Sequence, residues 1–220
     1  MKSPPRDARV GSPTYNLNQD RPIKYYFMNR ERRIISDEIF ELKDFGDLVA
    51  DVSGQHLHNL VPLPFLGQSL IAISDNDYIY TTWTEDFLIK VYDPDGNYLR
   101  AFYYPFRNNP LSRDEVVSLI DKKNDKYDRD LVEHAKMPQK WPAIRSMFAD
   151  GQNQLWVSTI VNKAGVREWW ILKNTGELIA KFNWPDNRSI KAVKDGFAYA
   201  LVTDSETGQQ KLVKYRVEME

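Results

Sequence analysis

Residues 70–102 read LIAISDNDYIYTTWTEDFLIKVYDPDGNYLRAF. Four short β-prone runs are separated here by three polar breaks. Leu70–Ile73 leads through Asp75-Asn76-Asp77 to Tyr78–Trp83. A polar gap then precedes Leu88–Tyr92, and Asp93-Pro94-Asp95-Gly96-Asn97 leads to Tyr98–Phe102. Pro94 presets φ for a turn, and Gly96 supplies the positive φ that a tight hairpin requires. The stretch predicts a four-stranded antiparallel meander.

The same plan returns further along. Ile144–Phe148, Asp150-Gly151-Gln152-Asn153, Leu155–Ser158, Glu168–Leu172, Asn174-Thr175-Gly176 and Leu178–Phe182 form a second copy. A third runs through Ile190–Val193, Asp195-Gly196, Phe197–Val202, a loop at Ser205–Gly208, and Lys211–Val217. A weaker copy precedes them all, with Glu38–Leu42, Asp44-Phe45-Gly46 and Asp47–Val52 as its second half. Thr14–Leu17 and Ile23–Met28 make its first half. Apolar residues fall on both faces of several strands, as in Trp169-Trp170-Ile171-Leu172 and Ile79–Trp83. A two-layer sandwich leaves one face of each sheet wet and gives cleaner alternation, whereas radially stacked blades cover both faces. The fold class is therefore all-β, a β-propeller of four-stranded antiparallel blades, and the tryptophan pair is read as core between blades.

These residues carry a family resemblance. Leu70–Phe102, with its "IY" and "IKVYDPDG", resembles an NHL-type blade, and Asp150–Val157 is similar to the D-x-x-G-x-L-W-V hairpin of the same class. Residues 64–218 resemble the C-terminal part of bacterial six-bladed propellers of the NHL-repeat or TolB-like type, with Pro64-Phe65 ahead of a blade and Met137–Pro142 as a Pro-rich approach to the next. The second copy departs from the pattern in its Asn174-Thr175-Gly176 turn, and the last copy has no such turn. The resemblance implies a ring of six blades, and relatives that are often exported, as periplasmic proteins or lipoproteins.

The boundaries follow from the repeats: a disordered tail at 1–12, blades at about 13–53, 69–104, 143–183 and 188–218, and a helical insertion at 105–142. A tail of about 12 residues and an insertion of about 38 leave roughly 170, or about four blades of 40–45 residues. The last copy ends after its third strand and offers an open edge for self-association. A partial six-bladed ring is favoured over a closed four-bladed one. Within the insertion, Ser112-Arg113-Asp114-Glu115 forms a capping box that predicts a helix over Arg113–Lys122. A second helix is expected over Asp125–Lys136.

Composition excludes several classes. The 220 residues carry 30 basic and 31 acidic side chains, a balance unlike that of a dedicated nucleic-acid binder. There is no cysteine, hence no disulfide, thiolate metal site or cysteine nucleophile. No apolar run approaches the roughly 18 residues of a membrane span. Met1–Asp20 lacks the apolar core of a secretory signal, so this chain as written is not expected to be exported, and its compartment stays open.

No catalytic set emerges: G-x-S-x-G, Walker A and the dinucleotide glycine fingerprint are all missing. His56 and His58 share one face of an extended segment, but no further ligand accompanies them, so no metal site or cofactor is expected. Hairpin chemistry accounts for the Asp-rich turns, which lack the spacing of a calcium loop. The expected function is a non-enzymatic binding or scaffold module that presents its loop face to a protein, peptide or glycan. Trp83, Glu85, Trp141, Arg145 and Arg167 are the candidate contacts, because aromatic and arginine side chains anchor interfaces. The alternative is a metal-dependent propeller hydrolase or lyase whose ligands lie partly in blades beyond these four. The inner strands here offer Ile71, Ile73, Ser146 and Val193, with no acid among them.

Overall fold

The computed structural model describes residues 22–121, 126–161, 165–204 and 207–218. The tail at 1–12 and the strand expected at Thr14–Leu17 lie outside these residues. The chain divides into two units, one of residues 1–69, 95–97 and 111–139, the other of 70–94, 98–110 and 140–220.

The second unit holds the blades. β5 (Ser69–Ile73), whose first residue belongs to the first unit, pairs with β6 (Ile79–Trp83), β7 (Leu88–Tyr92) and β8 (Tyr98–Tyr103) in sequence order as a four-stranded sheet. The strands β9 (Ile144–Ala149), β10 (Leu155–Ile160), β11 (Val166–Leu172) and β12 (Leu178–Pro185) repeat that order. A third sheet contains β13 (Arg188–Lys194), β14 (Phe197–Thr203) and β15 (Gln210–Arg216). Pairing is antiparallel from β6 to β8, from β9 to β12 and from β13 to β15. These are meanders of propeller-blade type, as the repeats predict.

The β9–β12 sheet is covered on both faces, and consecutive tryptophans show it. Strand geometry sends neighbouring side chains to opposite faces. Trp170 packs with Phe87, Tyr104 and Phe106 from the preceding blade, its ring centre 4.8 Å from that of Phe87. Trp169 turns the other way, into a cluster with Trp156, Phe148, Ile190 and Ala200, which joins the blade to β13–β14. Both indoles are buried, and such side chains dominate core energetics. This two-sided burial is what abolishes the alternation expected of a sandwich.

The turns between strands are fixed by local chemistry. In the β9–β10 hairpin Asp150 Oδ1 accepts the N–H groups of Gln152 (2.9 Å) and Gln154 (2.8 Å), and Asn153 takes a left-handed φ of 60°. In the β5–β6 hairpin Asp77 has φ 60° and donates its N–H to the Ser74 carbonyl at 2.9 Å. Asn153 Oδ1 accepts the Asn76 N–H at 3.1 Å, which ties these two turns together. Among the described residues β15 pairs only with β14. Its Lys211, Lys214 and Arg216 place charge along that outer strand, a usual guard against edge pairing.

The first unit departs from the expected blade at 13–53. Its described residues form two separate two-stranded sheets: β1 (Pro22–Tyr25) with β2 (Phe40–Lys43), and β3 (Val49–Val52) with β4 (Gln55–His58). Asp44-Phe45-Gly46 is not the hairpin turn that its composition suggests. Phe45 bridges Gln68, Gly46 donates to the Gly67 carbonyl at 2.6 Å, and Ser69 donates to the Asp44 carbonyl at 3.1 Å. Backbone groups that would have closed a turn are satisfied by a distant segment, and Phe45 is thereby buried at 5% exposure. The segment after Asp47 then turns back on itself at Ser53-Gly54, with φ of 51° and 81°, the geometry of a two-residue hairpin.

Among the described residues of this unit are two helices, α1 (Arg113–Asp121) and α2 (Lys126–His134). The capping box is present: Glu115 Oε2 accepts the Ser112 N–H at 3.0 Å, and Ser112 Oγ accepts the Glu115 N–H at 3.3 Å. Arg113 crosses to the end of α2, where its guanidinium donates to the carbonyls of Val132 and Ala135. Those are carbonyls that a helix C-terminus leaves unpaired. Tyr127 Oη accepts the His58 N–H at 3.2 Å and donates to the His58 carbonyl at 2.8 Å. This seats α2 against the β3–β4 hairpin. No helix of the described residues is long and apolar enough to cross a membrane.

Candidate functional site

All five candidate residues lie at one end of the β5–β8 and β9–β12 sheets, where β6 ends, β7 begins, β9 starts, and β10 passes to β11. Strand direction alone puts them there. Trp83 closes β6, and Glu85 sits two residues on, in the β6–β7 turn. Trp141 belongs to the approach to β9, Arg145 is the second residue of β9, and Arg167 is the second of β11. Trp83, Trp141 and both arginines are half-buried, whereas Glu85 is exposed.

Two asparagines hold this end together. Asn108 Nδ2 donates to the Glu85 carbonyl at 2.8 Å and to the Trp141 carbonyl at 2.9 Å. Asn109 Nδ2 donates to the Ile160 carbonyl at 3.0 Å, and its own carbonyl accepts the Trp141 N–H at 2.9 Å. Ile144 donates its N–H to the Thr84 carbonyl at 3.0 Å. The β6–β7 turn, the strand after β8, the approach to β9 and the end of β10 are thus laced by side-chain amides. A short bridge between Pro110 and Lys140 lies beside them. Sequence reading missed Asn108 and Asn109; an Asn-Asn-Pro run is a general loop signal and does not specify these partners.

Arg145 and Arg167 are the pair that the structure singles out. Between Ser158 and Thr159 the β9–β10 register slips, with Ser146 opposite Ser158 and Ile144 opposite Thr159. Arg145 is the extra residue of that bulge, a device that re-aims a side chain. Arg167 stands opposite Ile160 on one side and Trp184 on the other. Burial lowers the Arg145 pKa from its ordinary value, and the charge of Arg167 lowers it further. Burial also lowers that of Arg167, while Asp186 works in the opposite direction. Arginine nevertheless stays protonated in proteins, so two like charges are held near each other and partly out of water.

Among the described residues neither guanidinium makes an ion pair or a hydrogen bond. The carboxylate adjacent in sequence, Glu168, is engaged elsewhere. It accepts the Trp170 indole N–H at 2.6 Å and lies 3.7 Å from Lys181 Nζ. Ser146 Oγ and Ser158 Oγ are hydrogen-bonded at 2.6 Å. Trp169 is 3% exposed, and its indole N–H has no partner among the described residues.

His56 and His58 are not drawn together as ligands. His56 Nδ1 lies 2.8 Å from Asp51 Oδ1 across the β3–β4 hairpin, and the His58 backbone is engaged by Tyr127. Among the described residues no three His, Cys, Asp or Glu side chains gather in a group that could hold a metal ion.

The fold defines the class, which is propeller-type blades with a helical excursion. No protein-family model and no curated protein matches the chain. Among solved structures, a protein of unknown function from Bacteroides caccae is similar at TM-score 0.41 and 12% identity, over 97% of this chain and 59% of that one. Streptogramin B lyase is similar at TM-score 0.36 and 14% identity, over 88% of this chain and 62% of that one. The chain spans about three fifths of the length of these two structures. At such scores the fold rests on the sheets described above, and neither likeness bears on the site.

Proposed function

We propose that this chain is a non-enzymatic binding module, a set of blades from a six-bladed propeller of the NHL-repeat or TolB-like type. Its binding face is the end of the blades that carries Trp83, Glu85, Trp141, Arg145 and Arg167, and its ligand is a protein, peptide or glycan. The observation that supports this reading most is the Arg145–Arg167 pair. Half-burying two like charges costs stability when, as here among the described residues, neither makes an ion pair. Residues that break a local rule in this way are characteristic of binding surfaces. The amide lacing through Asn108 and Asn109 supports the reading further, because it pre-organises loops at the same end.

The test is a peptide and glycan array probed with the full chain and with Trp141→Ala, Arg167→Ala and Thr175→Ala. Thr175 lies at the opposite end of the β9–β12 sheet, in the β11–β12 turn. Ligands lost in the first two variants and retained in the third support the reading. Ligands bound equally well by all three would overturn it.

A further inference from the structure

The chemistry of the β9–β11 end specifies a ligand class. On β11, Arg167 and Trp169 are two residues apart and therefore share a face. Opposite them on β10 stand Ile160 and Ser158, and beyond Ser158 on β9 stands Ser146. Around Arg167 this face carries those two hydroxyls, the Trp169 indole and, across β12, the Trp184 indole, whose N–H donates to the Arg188 carbonyl at 2.6 Å, while Asp186 is the carboxylate whose charge acts on Arg167. The bulge adds Arg145 at the same end. Among the described residues the Trp169 N–H is buried without a partner.

We propose that Arg145 and Arg167 form a subsite for a tetrahedral, doubly charged oxyanion, a phosphate or sulfate group carried by the ligand. The inference rests on the binding-module reading above and narrows it. Two positive charges are held here, and Asp186 acts on one of them, Arg167. Guanidinium is planar and donates in a fork, and it pairs with two oxygens at once. A tetrahedral group presents more than one such edge, so both arginines can be engaged without sharing oxygens. A lone carboxylate presents one. Half-burial strengthens these bonds by limiting the water that competes for them.

The experiment is isothermal titration of the full chain with inorganic phosphate, inorganic sulfate, acetate and chloride at constant ionic strength. It is repeated on Arg145→Gln, Arg167→Gln and the double Lys variant. Saturable binding of phosphate or sulfate at one site per chain is expected, at least tenfold tighter than acetate. Each Gln variant should weaken it tenfold or more, and the Lys variant should recover part of the loss, because charge returns without the fork. The phosphate and sulfate arms tell which ester is preferred. Thermal melting of every variant, with and without anion, supplies a second readout: only chains with both charges should be stabilised by the dianion. Equal response to all four anions, or binding untouched by either Gln variant, would overturn the subsite. If the dianions fail while Trp141→Ala and Arg167→Ala still abolish array binding, the ligand class falls and the binding face stands. If the array ligands survive those variants, the binding reading itself falls.

Discussion

Trp156 donates its indole N–H to Asp150 Oδ2 at 2.8 Å, while Asp150 Oδ1 receives two backbone N–H groups of the hairpin that joins β9 to β10. One 5%-exposed carboxylate therefore fixes both a turn and a fully buried tryptophan of the core beneath it. The link explains why an aspartate is buried beside an apolar core of Trp, Ile, Val and Ala. Burying a charge is tolerated when hydrogen bonds surround it.

Asp150→Ala should strand three donors at once and lower stability by about 2–4 kcal/mol in urea unfolding. Trp156→Phe should couple to it, with an interaction energy of roughly 0.5–3 kcal/mol in a double-mutant cycle. Trp169→Phe removes an N–H that has no partner and should cost clearly less than Trp156→Phe. An equal cost for the two would show that the Asp150 bond contributes little.

Gly176 in the β11–β12 turn has φ +93°, and an added Cβ would lie 2.6 Å from Phe102 Cγ of the neighbouring blade. Its carbonyl accepts the Tyr104 hydroxyl. Gly176→Ala should cost roughly 2–4 kcal/mol, the sum of left-handed strain and overpacking. Gly196, at φ +74° with open space around it, is the control. There the same change should cost about 1–2 kcal/mol, from strain alone. Calorimetric melting of the two variants separates the contributions, and equal shifts would deny the contact between blades.

Tyr80 is 1% exposed, and burial raises its phenol pKa above the ordinary value, with Arg100 and Ser74 acting in the opposite direction. Its stabilising share is fully present below the pKa of the unfolded chain, about 10, where both states hold the proton. Above that, the unfolded chain releases the proton more readily than the folded one, so stability falls as pH rises through the window up to the raised value. Tyr80→Phe should leave stability near pH 7 little changed and blunt the loss above pH 10. Unfolding midpoints measured at neutral and alkaline pH decide it. A variant with an unaltered alkaline profile refutes the assignment.

Arg145→Met keeps the aliphatic body of the side chain and deletes one of two neighbouring like charges. Its melting temperature should equal or exceed that of the parent chain in chloride, while the stabilisation given by sulfate should vanish. Function-related strain behaves in this way. A marked loss of stability in chloride would mean instead that the guanidinium has a structural role.

The β-blades were legible because their turns are local. Asp150-Gly151, Asn174-Thr175-Gly176 and Asp195-Gly196 each announce a hairpin through residues a few positions apart. The two faces of Trp169-Trp170 were legible for the same reason, since strand alternation is a property of neighbours. Asp44-Phe45-Gly46 misled because turn-like composition says nothing about a pairing partner more than twenty positions away, at Gly67 and Gln68. Ser53-Gly54 was a readable hairpin signal hidden by a blade boundary drawn at residue 53. The candidate residues were legible as residue types at one end of the blades. Their lacing by Asn108 and Asn109 was not, nor was the bulge at Arg145, because amide bridges and register slips leave no spacing in the chain.

The segments on either side of the helical excursion run side by side. Asn109 bonds to Trp141, Pro110 bridges Lys140, and Leu111 donates to Gln139 at 2.9 Å. A chain that departs and comes back through adjacent positions is a detour in the path from β8 to β9. The stretch from 111 to 139 can therefore change length or content as a cassette without altering strand order. Replacing it with a tight turn would preserve the route between the blades and deprive the β3–β4 hairpin of Tyr127. Divergence among chains of this architecture should accordingly be tolerated at the excursion far more readily than at Asn109 or Trp141, which close its neck.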